Sequence, residues 1–143
     1  MEVTRSVEVA RQQSAVWDVL RDPALMPEWL PELENFTAVS GDGTSAGDRY
    51  TIEYKRDSGN VELAVEVLEV DAPDGHSHRF EGLPVAFTII SRLEGDGDDT
   101  TWHATISVKL SFVQKALGPV IKGTLDSLAD HMADGFKNYV EAE

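Results

Sequence analysis

Between Ser111 and Glu143 the apolar residues recur at the spacing of a helix. Projected at about 100° per residue, Leu117, Ile121, Thr124, Leu128, Met132 and Tyr139 fall within a narrow stripe flanked by Val120, Leu125, Ala129 and Phe136. The opposite side carries Lys115, Lys122, Asp126, Asp130, Asp134, Lys137 and Glu141, so the helix lies against a surface and turns its back to water. Ser111 followed by Gln114 is a capping-box pair for its start. About 28 residues rising about 1.5 Å each span roughly 42 Å, whereas a compact chain of this length has a radius of gyration of only about 14.5 Å. What precedes the helix must therefore be a sheet curved enough to hold it. Proline inside a helix removes one backbone bond and clashes with the preceding turn. Gly118-Pro119 thus predicts a kink, or a short Phe112 to Leu117 turn with the main helix starting at Pro119. Gly135 weakens the helix by about 1 kcal/mol relative to alanine, which points to close contact with the sheet or to space left open. Thr124, on the stripe, has a hydroxyl that can bond the carbonyl one turn earlier or face a cavity.

The preceding chain reads as strands. Val3, Val7 and Val9 alternate with polar residues, with Arg5 interrupting the apolar row. A short helix starting at Gln12 or Ser14 buries Val16, Trp17, Val19 and Leu20 and ends at Asp22-Pro23. A second runs from Ala24 to Trp29. Two helices this short plug one end of a sheet. Val39 ends a brief strand, and alternating strands follow around Tyr50 to Tyr54, Val61 to Val67, His76 to Phe80, Val85 to Leu93 and Trp102 to Leu110. The turns between them are too short for crossovers, so the strands are expected to be antiparallel. The expected fold is α+β, a seven-stranded curved sheet wrapped around the C-terminal helix as one domain over residues 1–143.

Twenty-six acidic residues against twelve basic ones give a formal net charge of minus 14. Such a surface repels phosphate backbones and anionic membranes, so nucleic acid is not an expected partner. No segment has the roughly 20 apolar residues needed to span a bilayer. The opening Met1-Glu2-Val3-Thr4 has no signal-peptide character, and the expectation is a cytoplasmic protein, monomer or homodimer. With no cysteine there is no disulfide and no thiolate metal site. No His, Asp and Glu cluster has ligand spacing, and no glycine loop opens a helix to cradle phosphate, so neither metal nor cofactor is expected.

The residues that carry a family resemblance lie mainly in the first third. Val7-Glu8-Val9-Ala10 followed by Ser14-Ala15-Val16-Trp17-Asp18-Val19-Leu20 resembles the first strand and first helix of the helix-grip superfamily (SRPBCC). That group includes START domains, the birch pollen allergen and bacterial polyketide cyclase or dehydratase-like proteins. Asp22-Pro23 and Pro27-Glu28-Trp29-Leu30-Pro31 resemble its second helix and proline-tryptophan turn, and Gly47-Asp48 its loop into the third strand. The resemblance implies a cavity between the long helix and the sheet. It implies no particular catalytic residue.

In a grip of this kind the candidate lining is aromatic at Trp17, Trp29, Tyr54, Phe80, Phe87 and Trp102. The aliphatic candidates are Leu30, Val65, Ile89 and Ile106 from the strand side, and Leu117, Ile121, Leu125, Leu128 and Met132, with Thr124, from the helix. His76 and His78 share a strand face and could meet a ligand or each other, but they sit near a hairpin, where exposure is the ordinary outcome. His103 is expected at the surface, and His131 at the flank of the stripe. The expected function is binding or transport of a small hydrophobic molecule, such as a lipid, polyketide or aromatic compound. The alternatives are a polyketide cyclase/dehydratase-like enzyme in the same cavity, with Tyr54, His78, Arg92 or Tyr139 moving protons, and an interaction module without a ligand.

Overall fold

The computed structural model describes residues 1–111 and 114–142. Strand β1 (Glu2–Val9) leads to helix α1 (Gln13–Leu20), a 3-10 turn (Pro23–Leu25) and the single-turn helix α2 (Met26–Trp29). Six strands follow: β2 (Leu33–Ser40), β3 (Arg49–Tyr54), β4 (Val61–Asp71), β5 (Gly75–Glu81), β6 (Phe87–Asp96) and β7 (Asp99–Val108). A second 3-10 turn (Gln114–Leu117) precedes α3 (Gly118–Glu141). The strands form a single seven-stranded sheet in the order β1-β7-β6-β5-β4-β3-β2, every neighbouring pair antiparallel. Short turns force the meander from β2 to β7. The first strand then returns to the last, with Val3 opposite Ile106 and Val7 opposite Trp102. This is the helix-grip arrangement, with two short helices between the first two strands.

One face of the sheet supplies the core. Trp102, Ala104, Ile106 and Val108 of β7 and Leu63, Val65 and Val67 of β4 are all buried, as strict alternation requires. The β4–β5 register shifts between Val67 and Glu69; such a bulge adds twist and curvature. Arg5, the charged residue in the apolar row of β1, reaches over to α3. Its Nε lies 2.6 Å from Asp130 Oδ1 and its Nη2 3.2 Å from Asp126 Oδ1.

At its start the long helix follows the second of the two sequence expectations, a short turn ending at Leu117 before the main helix, while its buried face departs from the projected one. The helix begins at Gly118 after a separate turn, so Pro119 falls in the first turn, where a missing N–H costs nothing. The Ser111–Gln114 box caps the 3-10 turn: Ser111 N donates to Gln114 Oε1 at 3.0 Å and Gln114 N to Ser111 Oγ at 3.3 Å. Gln114 Nε2 also donates to Pro84 O at 3.0 Å, tying the turn to the β5–β6 loop. Phe112 and Val113, the start of the expected turn, lie outside the described residues. The buried face is rotated. Beyond Gly118, which is buried at the start, it consists of Leu125, Leu128, Ala129, Met132, Ala133, Phe136 and Val140, while Thr124 is exposed and Tyr139 half-buried. Leu117 and Val120, 58% and 70% exposed, precede the covered part of the helix, and their hydrophobicity drew the projected stripe away from its true centre.

Helix α3 packs chiefly along β1, with further contacts to β7 and α2. At the α2 contact, Trp29, Trp102 and Phe136 meet with ring centroids 5.7, 5.1 and 4.4 Å apart. Gly135 makes this approach possible: a Cβ there would stand 2.0 Å from the Trp29 carbonyl oxygen. The close contact inferred from Gly135 exists, but with α2 and not with the sheet. Gly123, two turns into the same helix, has nothing within 4 Å of where its Cβ would be. The two glycines therefore predict opposite responses to alanine. Gly135→Ala loses about 1–3 kcal/mol to the backbone clash, whereas Gly123→Ala gains about 0.5–1 kcal/mol from helix propensity. Urea denaturation of both variants checks the pair of signs.

Candidate functional site

The uncovered start of α3 overhangs one end of the sheet, and a cleft of about 520 Å³ lies beneath it. Its sheet side is made by Tyr54 at the end of β3, Leu83, Pro84 and Val85 of the β5–β6 loop, Phe87 of β6 and Val108 of β7. Its helix side is Val120, Ile121, Thr124, Leu125 and Leu128. The exposed Lys55, Arg56 and Asp57 complete it at the mouth. The Thr124 hydroxyl donates to Val120 O at 3.3 Å, one turn back.

A more polar pocket adjoins the cleft, shares Tyr54, Val120, Thr124 and Leu128 with it, and adds Glu32, Gly123, Ser127 and His131. Here His131 Nδ1 lies 2.9 Å from Glu32 Oε1. Partial burial pushes the Tyr54 phenol pKa up, the Glu32 charge adds to the rise, and Arg56 opposes it. Among the described residues no group of three or more His, Cys, Asp or Glu is placed to hold a metal ion.

A small chamber of about 20 Å³ lies deeper, between the α1–α2 plug and the sheet, lined by Leu20, Met26, Trp29, His76, His78, Phe80, Ile89, Ser91 and Trp102. The histidines expected at the surface are here. His78 is 3% exposed, its Nδ1 is 2.8 Å from the Tyr50 hydroxyl, and its ring is 4.4 Å from that of His76. Proximity to a hairpin misled the expectation because α1 covers this end of the sheet: Trp17 lies 5.5 Å from His76, ring to ring. The usable signal was that His76 and His78 continue the buried row of Phe80. Burial, then the neighbouring His78 charge, pushes His76 down to about 3; burial alone pushes His78 down to about 4. Burial likewise pushes the Tyr50 phenol up.

The residues singled out in the sequence divide among these places. Tyr54, Phe87, Ile121, Thr124, Leu125 and Leu128 line the cleft. Trp29, Phe80, Ile89 and Trp102 line the chamber. Trp17, Leu30, Val65, Ile106 and Met132 are buried in the packed core, and Leu117 is exposed. Of the proton-transfer candidates, Tyr54 is in the cleft, His78 at the chamber and Arg92 on the exposed face. Tyr139 packs at the half-buried edge of the core. The loop residues Leu83, Pro84 and Val85 were missed as lining. Their signal was two bulky apolar side chains bracketing a proline in a turn.

Sheet, helix and cleft together define a START-like member of the helix-grip superfamily. Residues 1–133 match the polyketide cyclase / dehydrase and lipid transport family, and the chain belongs to that family. Solved structures with the same fold include a START superfamily protein from Mycobacterium smegmatis, with 18% identity over 99% of this chain and 97% of that one and a TM-score of 0.81. The Zhui aromatase/cyclase from Streptomyces is similar at a TM-score of 0.80, with 13% identity over 99% of this chain and 93% of that one. Norcoclaurine synthase from Thalictrum flavum follows at 0.73, with 20% identity, 98% of this chain and 92% of that one. Comparison with curated proteins finds no match. At these identities the structural likenesses establish the fold alone.

Buried His78 and half-buried His76 make stability depend on pH. Both are neutral in the folded protein down to about pH 4, whereas in the unfolded chain they take up protons near pH 6.5. Unfolding therefore binds protons, and stability falls as pH drops below about 6.5 until the folded values are reached, by up to about 1.4 kcal/mol per pH unit for each histidine. Replacing His76 by leucine should remove one of the two contributions. Urea midpoints measured from pH 7 to pH 4.5 should fall less steeply for His76→Leu than for the wild type; parallel curves would contradict this.

Proposed function

We propose that the protein binds a small, largely apolar molecule in the cleft between the start of α3 and the open end of the sheet. The observation that carries this reading is a volume of about 520 Å³ faced by Leu83, Val85, Phe87, Ile121, Leu125 and Leu128. That size lies within the usual range of ligand pockets, roughly 300–1,000 Å³. The helix over it has exposed Leu117 and Val120, apolar surface that no other part of the described chain covers. A flat aromatic or polyketide-like compound suits such walls, with Tyr54 and Thr124 as the polar groups at one side. The family, which spans cyclases and lipid transport proteins, supports the same reading. The net charge of minus 14 argues against a polyanionic ligand.

One observation favours an enzyme in the same place. The Glu32–His131 couple lies in the polar pocket that opens off the cleft beside Tyr54, and a carboxylate-imidazole pair is suited to hold and pass a proton. A cyclase or dehydratase-like reaction would use the cleft for the apolar body of its substrate and this couple for the proton.

Isothermal titration with 1-naphthol tests the binding reading. The wild type should show saturable one-to-one binding. Ile121→Arg, which places a charge at a half-buried position of the cleft wall, should weaken it at least tenfold while leaving the urea midpoint nearly unchanged. Undiminished binding by Ile121→Arg, or no binding by the wild type of any probe in a panel of aromatic and fatty compounds, would sink the proposal.

A further inference from the structure

The chamber behind the cleft gathers polar atoms that have no partner. His78 Nε2, Ser91 Oγ, Trp29 Nε1 and Trp102 Nε1 are all buried and make no hydrogen bond within the protein, and all four residues line the same void of about 20 Å³. Each orphaned buried group costs about 1–3 kcal/mol, and native interiors rarely leave such groups unpaired. Because all four residues border one void, a single small molecule there is the natural common partner.

The size and chemistry of the void narrow the choice. A single water needs about 10–15 Å³ and two to four polar partners, and this chamber supplies both. An indole N–H can only donate, so the partner must accept. A neutral His78 carries one ring proton. If Tyr50 O–H donates to Nδ1, the proton is on Nε2 and needs an acceptor. If Nδ1–H donates to the Tyr50 oxygen, Nε2 needs a donor. A water has two lone pairs, and the two indole N–H groups fill both, so it donates to His78 Nε2 and to Ser91 Oγ; the ring proton is then on Nδ1, donated to the Tyr50 oxygen.

We propose that the chamber is a binding site for one long-lived internal water, held by His78 Nε2 and Ser91 Oγ and by the indole N–H groups of Trp29 and Trp102. The site is separate from the cleft and does not depend on what the cleft binds. The stacked rings of Phe80 and Phe87, 4.9 Å apart and nearly parallel, stand between them, with Phe87 facing the cleft and Phe80 the chamber. The water completes a polar chain that runs from Tyr50 on β3 through His78 on β5 to Ser91 on β6, and it joins these strands to Trp102 on β7 and Trp29 on α2. It thereby fastens the α1–α2 plug to the sheet and fixes which nitrogen of His78 holds the proton.

The test uses the three indole N–H resonances of the ligand-free protein. The Trp29 or Trp102 indole proton should show a magnetisation-transfer cross-peak to water with the sign of a molecule bound for nanoseconds or longer, and Trp17, outside the chamber, should not. Ser91→Val, whose second methyl occupies the void, should abolish that cross-peak while the folded spectrum persists. A crystal structure should show one density peak within about 3.2 Å of both Ser91 Oγ and His78 Nε2. Should Ser91→Val fail to fold, the wild-type cross-peak and the density peak decide the matter alone. No cross-peak and an empty chamber overturn the proposal, as does a cross-peak undiminished in folded Ser91→Val.

Discussion

Everything about the site follows from where α3 is held and where it is not. Its grip is the contact of Phe136 with Trp29 and Trp102, rings 5.1 and 4.4 Å away, closed by the absence of a side chain at Gly135 against the Trp29 carbonyl. The single turn of α2 could not hold its own shape in water; it is ordered because it is wedged between the sheet and the helix. Leu125 to Val140 then lie on the sheet, chiefly along β1. The helix before Leu125 extends past this support, and the cleft is the space left under that overhang.

The cleft and the chamber differ in access for the same reason. At the overhang the neighbouring walls are loops and strand ends, which leave Leu83 and Val85 half-exposed beside the buried Phe87. At the plug end α1 and α2 close over the sheet, so His78 of β5 and Ser91 of β6 are sealed in and His76 is half-buried. Burial keeps His76 and His78 uncharged and leaves the inner polar atoms dependent on one another. Both voids are walled mainly by apolar side chains, but only the cleft, at about 520 Å³ against about 20 Å³, has room for a hydrophobic guest.

Much of this architecture could be read from residue patterns. The alternation from Trp102 to Val108 placed β7 and its buried face, the short turns dictated the antiparallel meander, and the helical period located α3. The family resemblance, carried by short motifs in the first third, matched the fold. Periodicity says which face of an element is covered but not by what. Thr124 and Leu125 are adjacent but about 100° apart around the helix, and only the packing against the sheet decides that the buried face is centred so as to cover Leu125 and expose Thr124. The same limit applies to the aromatic residues. Phe87 meets open space and its stacking partner Phe80 meets the chamber, although the two are register partners of the same chemistry. His78 looked like a hairpin residue because nothing in its own strand announces that α1 lies above it.

The central claim is that α3 is one helix in two conditions, pinned from Leu125 onward and, between buried Gly118 and Leu125, only partly covered over a binding cleft. Residue-resolved amide hydrogen exchange along 118–141 tests this directly, first in the free protein and then with 1-naphthol at saturating concentration. Strong protection from Leu125 to Val140, weak protection over 118–124, and a gain confined to that first segment when the probe is added are the expected pattern. Uniform protection along the whole helix, unchanged by the probe, would contradict the account.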